Sequence, residues 1–316
     1  MLELKLFGTG QACYLGRPLP GFPSQQASLV LCYLLLNRHH PHHREQLAAV
    51  FWSDYPTHTS RKYLRNALWR LRQALQAVNA SPDSYLAISD DSVSFLTSSL
   101  YALDVETFEE TVSPYQDVSG GSLTAEQAAS LERAASSYGG DLLEGIYEDW
   151  CLYDRERLSL LHLSVLGKLV VFHATHGTCE RGIAYGERIL AHDNTREKVH
   201  RQLMCLHWLA GDRNAALAQY KRCAQILREE LGIPPMKQTK LLYEQMLHNR
   251  FDPATWPGHH SAPSSGLDEP GGSMQPLAEH ALQKLQHLQA MIEETGTELR
   301  HVERLISKAL LDSQSL

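Results

Sequence analysis

The chain changes its hydrophobic rhythm several times, and each rhythm predicts a different element. Residues 2–15 alternate like strands, with Leu2, Leu4 and Leu6 on one side, and Gly8, Gly10 and the Gly16–Pro18 stretch supply turns. "SQQASLVLCYLLLN" follows; Ser24 suits an N-cap and the apolar run reads as a buried helix. "HHPHHREQLAAVFW" reads as a proline-centred turn and a second, short helix. After the loop "SDYPTHTS" a third helix is predicted over 57–76. Its Leu64, Leu68, Leu71 and Leu75 fall within about 60° of one another at a turn of about 100° per residue, so that face packs inward. "YLAISDDSVSFL" alternates on both sides of Asp90–Asp91 and reads as a hairpin. Strands, three helices and a hairpin, in that order, are what a winged helix-turn-helix needs.

From about Leu103 to Arg250 the pattern is helical almost throughout. An internal echo runs through it. Gly177 and Gly211 are 34 residues apart, and Val165, Leu169 and His173 line up with Val199, Leu203 and His207. A period of about 34 residues is that of tetratricopeptide (TPR) helix pairs. "ELGIPP" ends the last full helix, with Gly232 at the C′ position and Pro234 blocking continuation.

Residues 251–276 then read as a linker, half of them Pro, Gly or Ser. Beyond it, a seam recurs at spacings of three and four through Leu285, Leu288, Ile292, Thr295, Leu299, Val302 and Ile306, a heptad pattern whose apolar members are the candidates for dimerisation. That segment either dimerises in parallel or folds back on the helical body. The expected architecture is mainly α: a winged helix with a small sheet and a wing over 1–100, an all-α TPR-like bundle over 101–250, a flexible linker over 251–276 and a coiled-coil helix over 277–312.

Charge sharpens this picture. The chain is formally −7, yet residues 1–100 hold nine Lys or Arg against six Asp or Glu. Residues 101–250 hold 16 against 21, and residues 251–316 hold four against nine. The positive charge concentrates in "SRKYLRNALWRLRQAL", with no acid between Tyr55 and Pro82. A basic N-terminal region on an acidic body predicts a polyanionic partner for that region alone.

On the helix wheel Lys62, Asn66, Trp69 and Gln73 lie opposite the leucines, flanked by Arg65 and Arg70, with Arg61 and Arg72 nearer the core edge. Lys and Arg can donate to guanine edges and neutralise phosphates, and Asn can pair bidentately with adenine. The N-terminal part of a recognition helix meets the bases. Lys62, Arg65, Asn66 and Trp69 are therefore the expected base contacts, and Arg61, Arg70, Arg72 and, in the hairpin, Ser92 the expected phosphate contacts. Trp69 suits either a thymine methyl or packing against the wing.

Other chemistry is thin. The "HHPHH" at His39–His43 splits two histidine pairs around a proline, which is no ligand spacing, and it reads as a solvated turn. The six cysteines are scattered without a C-x-x-C pair, as in a reducing compartment. No phosphate-binding or nucleophile-elbow motif occurs, so no enzyme, cofactor or metal is expected. The longest apolar run, near Ser28–Leu36, is short of a membrane span, and Met1 leads directly into "LELKLF" without a secretory n-region. A cytoplasmic location is expected.

With these residues in view, "LFGTGQACYLGRPLPGFPSQQASLVLCYLLL…RKYLRNALWRLRQAL…YLAISDDSVSFL" resembles the winged-helix domain of the Streptomyces antibiotic regulatory protein (SARP) family. "LDVETFEE", "YGGDLLEGIYEDWCLYDRERL" and "ALAQYKRCAQILREELGIPP" resemble the bacterial transcriptional activator domain that follows it, the likeness covering roughly residues 2–248. The resemblance implies a transcriptional activator that binds direct repeats of double-stranded DNA near promoters and contacts RNA polymerase, with a helical domain that serves homodimerisation. It also implies DNA contacts at Lys62, Arg70 and Arg72. One departure stands out: related wings often carry an Arg into the minor groove, whereas this wing has Asp90, Asp91 and serines. The rival reading is a TPR scaffold whose winged helix binds protein.

Overall fold

The computed structural model describes residues 1–23 and 25–252. The heptad positions Leu285, Leu288, Ile292, Leu299, Val302 and Ile306 lie outside the described residues. The described part is mainly helical, with a small N-terminal sheet ahead of a winged helix and an all-α body behind it.

The alternating leucines do what their period dictates. In β1 (Leu2–Lys5), Leu2 and Leu4 are buried while Glu3 and Lys5 face water. β1 pairs antiparallel with β2 (Gln11–Tyr14), which pairs with β3 (Arg17–Pro18). The fourth strand comes from far along the chain: β7 (Tyr101–Leu103) lies parallel to β1, Leu4 opposite Leu103. Helices α1 (Gln26–Leu36), α2 (Arg44–Phe51) and α3 (Thr57–Ala77) follow the first three strands. α1 is apolar nearly all round and is buried accordingly. A second sheet forms from β4 (His42–His43), β5 (Leu86–Ile88) and β6 (Ser92–Phe95), in the order β4-β6-β5.

Here the sequence reading needs correcting. The histidine cluster is not wholly a solvated turn. His42 and His43 pair with Val93 and Ser92, and the His42 ring stands edge-on to Tyr33 with its Nε2 3.0 Å from the Asn37 carbonyl. A two-residue strand has no period to read; its partner lies some fifty residues on.

The body consists of α4 (Asp104–Val112), α5 (Ala125–Ser137), α6 (Asp149–Thr175), α7 (Cys179–His192), α8 (Glu197–Leu209), α9 (Arg213–Ile226) and α10 (Lys237–Leu247). α5 starts in a capping box between Thr124 and Gln127. The 34-residue echo is real in the backbone. Gly177 and Gly211 both take left-handed φ, 70° and 81°. Thr178 N–H reaches back to the His173 carbonyl, and Asp212 N–H to the His207 carbonyl, so α6 and α8 end in the same Schellman-type turn. The chain then reverses into α7 and α9. A π-helical turn and Gly232 (φ 68°) close α9. "ELGIPP" is nevertheless not the end of the helices, since α10 follows the two prolines.

α6 is apolar and long enough to cross a bilayer by composition, but it is the central core helix, with Leu158, Val165, Leu166, Leu169 and Val170 buried. Phe251, the first residue assigned to the linker, is also buried, edge-on to Trp208 at 5.9 Å.

One stretch departs from the helical expectation. Between α5 and α6, residues 138–148 run as an irregular segment alongside the end of β1. Leu143 N–H donates to the Leu6 carbonyl, Gly8 N–H to Asp141 and Glu144 N–H to Gly8. From the other side, the Arg155 guanidinium of α6 donates to the carbonyls of Leu142, Leu143 and Ile146 at 2.6–2.8 Å. Asp104 completes this junction. Its carboxylate accepts from the Leu6, Phe7 and Val105 N–H groups, and burial raises its pKa against those bonds. The sheet, the three N-terminal helices and the helical body thereby share one core running from Leu2 to Leu206.

Candidate nucleic-acid interface

α2, the turn after it and α3 form the helix-turn-helix. The turn is held by Ser60, whose hydroxyl donates toward the Trp52 and Tyr55 carbonyls at 2.9 and 3.1 Å. Trp52 meets Tyr63 tilted at 6.1 Å and Tyr63 meets Tyr55 edge-on at 5.1 Å, which fixes the first turns of α3 against α2.

α3 buries Leu64, Ala67, Leu68, Leu71 and Leu75, as the wheel requires. Lys62, Arg65, Asn66, Trp69 and Arg70 are all exposed, and Trp69 keeps 61% of its surface accessible. Trp69 takes part in no ring pair among the described residues.

The cations divide into two groups. Arg61 pairs with Glu45 of α2, and Arg72 Nη2 lies 2.7 Å from Asp83 Oδ1. Lys62, Arg65 and Arg70 make no ion pair among the described residues. The two pairs are solvent-exposed and of the kind worth about 0–1 kcal/mol, weak enough to be exchanged for phosphate contacts.

The wing is the β5–β6 hairpin. Its turn is tied to the start of α2: Arg44 N–H donates to the Asp91 carbonyl at 2.9 Å, and Arg44 Nη1 to the Ser89 carbonyl at 3.0 Å. Ser92 is half-buried, and its hydroxyl and N–H both meet the Ser89 hydroxyl at 3.0 Å. Ser92 thus shares in the hydrogen bonds of the wing turn. Arg44, Arg61 and Arg65 line a cleft with Glu45, Asp90 and Asp91. The sequence reading missed Arg44 and the carboxylates of Glu45 and Asp83. Asp83 stands immediately after the acid-free run, which is the one signal that marked it.

Among the described residues no group of three or more His, Cys, Asp or Glu side chains could hold a metal.

Comparison with known proteins agrees with this organisation. Residues 103–247 match the bacterial transcriptional activator domain. The chain is 26% identical over 248 residues to the transcriptional regulatory protein MoaR1 of Mycobacterium tuberculosis, covering 78% of this chain and 76% of that one. It is 24% identical over 225 residues to the regulatory protein AfsR of Streptomyces coelicolor, covering 68% of this chain but only 22% of AfsR. Its fold is similar to that of Mycobacterium tuberculosis EmbR, solved in complex with a low affinity phosphopeptide. The TM-score is 0.58 at 21% identity, over 80% of this chain and 66% of that one. Residues 103–247 thus form a bacterial transcriptional activator domain, and over most of its length the chain is similar to transcriptional regulatory proteins.

Proposed function

We propose that the chain is a sequence-specific, cytoplasmic DNA-binding activator that lays α3 in the major groove of promoter direct repeats. One observation carries the reading: α3 is anchored by four leucines and turns Lys62, Arg65, Asn66, Trp69 and Arg70 to solvent as one cationic, amide-bearing and aromatic face. Lys62, Arg65 and Asn66 then meet base edges, and Trp69 a thymine methyl. Arg70 meets phosphate directly, and Arg61 and Arg72 do so by exchanging their carboxylate partners. Ser92, in the wing, is the remaining phosphate contact. The helical body contacts RNA polymerase or other proteins, and the regulator acts as a homodimer.

The alternative of a protein-binding scaffold is separated by salt. Neutralising phosphates releases counterions, so DNA affinity falls steeply with ionic strength. A titration of promoter DNA against Lys62→Ala and Arg65→Ala tests the assignment. Each variant loses about 1–3 kcal/mol of binding while keeping its melting temperature. Unchanged affinity in both variants refutes the docking of α3.

A further inference from the structure

The groove between α5 and α7 carries chemistry that α3 does not use. Each helix turns one face toward it, and together they flank an open groove of about 690 Å³. Arg133 comes from α5, Arg181 and Arg188 from α7, and Ala129 and Ala184 leave room for another backbone to approach. Glu132 is the one carboxylate in the lining.

That carboxylate is already engaged. His173, buried to 2% exposure, places its Nε2 2.9 Å from Glu132 Oε1, and its Nδ1 meets the Thr178 hydroxyl at 2.7 Å. Burial lowers the His173 pKa, so the imidazole adds no positive charge of its own at neutral pH. Arg181 reaches Glu132 only at 3.5 Å. Arg133 donates to the Ser130 hydroxyl, and Arg188 donates to the Ala135 carbonyl and rests over the Tyr185 ring at 5.8 Å. Neither of these two makes an ion pair among the described residues. Tyr185 is itself stacked on His173 at 5.5 Å and 14°, so the floor is fixed. Three guanidiniums against one occupied carboxylate reverse the sign of a body in which acids outnumber bases, 21 to 16 over residues 101–250.

We propose that the α5–α7 groove docks an acidic amphipathic helix from a partner protein. Arg181 and Arg188 stand two turns apart on α7, about 10 Å along the axis, which matches carboxylates at i and i+7 on the incoming helix. Guanidinium forks favour carboxylates over a bare point charge. This deepens the reading of the helical body as the partner-contacting part and does not depend on DNA recognition by α3.

The test uses the full chain and a fluorescein-labelled synthetic helical peptide with Glu at every seventh position, its twin with Gln at those positions, and a labelled random-sequence duplex. The Glu peptide binds in a salt-sensitive manner, and the Gln peptide at least about tenfold more weakly. Arg133→Glu with Arg181→Glu weakens Glu-peptide binding at least about tenfold and leaves duplex binding unchanged, while Arg133→Lys with Arg181→Lys retains part of the affinity. Equal binding of the two peptides, or no effect of the charge reversal in a protein with unaltered melting, overturns the proposal. So does duplex competing the peptide off and losing affinity in the reversed variant, because the groove would then be a phosphate surface. Loss of duplex binding on Lys62→Ala with peptide binding intact speaks only to α3.

Discussion

Trp150, in the first turn of α6, stands edge-on to Tyr33 of α1, ring centroids 5.7 Å apart at 78°. The same indole meets Phe51 at the end of α2, at 5.6 Å. Phe51 continues to Trp52 at 5.7 Å, and Trp52 to Tyr63 of α3. A continuous line of rings therefore joins the helical body to the helix that carries the basic face.

Trp150→Ala empties the centre of that line and costs about 3 kcal/mol of stability, measured by denaturant unfolding. Trp150→Phe is much milder, under about 1.5 kcal/mol, because the buried indole N–H has no hydrogen-bond partner among the described residues. Equal losses in the two variants would assign the role to the N–H and sink the packing argument.

Arg155 holds the irregular 138–148 segment through three carbonyls. Arg155→Leu leaves buried carbonyls unpaired, at a cost on the order of 2–3 kcal/mol. Limited proteolysis then cuts within 138–148 earlier than in the parent protein. Protection unchanged in the variant contradicts the clamp.

His162 is buried and stacked on Tyr138 at 4.0 Å; burial first, then Arg188 and His192, lower its pKa from 6.5 to about 4. Between those values the unfolded chain binds a proton that the folded one refuses. The stability contribution is fully present above about pH 6.5 and is lost as the pH falls toward 4, by up to about 1.4 kcal/mol per pH unit. His162→Gln accordingly shows a smaller drop in melting temperature between pH 7 and pH 5 than the parent. His173 and His200, also lowered by burial, keep part of the acid sensitivity in the variant. Identical pH slopes in parent and variant count against the assignment.

Glu45 and Asp83 compete with phosphate for Arg61 and Arg72. Glu45→Gln and Asp83→Asn each raise affinity for promoter DNA by about two- to fivefold, the worth of one exposed pair. Anisotropy titrations at two salt concentrations measure this, and weaker binding by either variant would show that the carboxylate orients its Arg for DNA instead of withholding it.

Much of the architecture was legible because it follows from local period and turn chemistry. Leu2 and Leu4 specify a one-sided strand by alternation, and Leu64, Leu68, Leu71 and Leu75 specify which side of α3 is free. Gly177 and Gly211 mark equivalent helix ends because the left-handed turn after α6 and α8 excludes most side chains. The expected exposure of Lys62, Arg65, Asn66 and Trp69 followed from the same arithmetic.

What only the tertiary structure decided was pairing across the chain. β7 finds β1 and His42 finds Val93 across long sequence separations, through backbone groups whose hydrogen bonding is indifferent to side-chain pattern. The 138–148 segment is irregular because Leu6 and Gly8, just after β1, and the Arg155 guanidinium satisfy its backbone in place of a helix. Which cations of α3 stay unpaired was settled likewise, by whether a carboxylate from α2 or from the residues after α3 comes within reach. A helix wheel states the direction of each side chain but not what the rest of the fold brings to meet it.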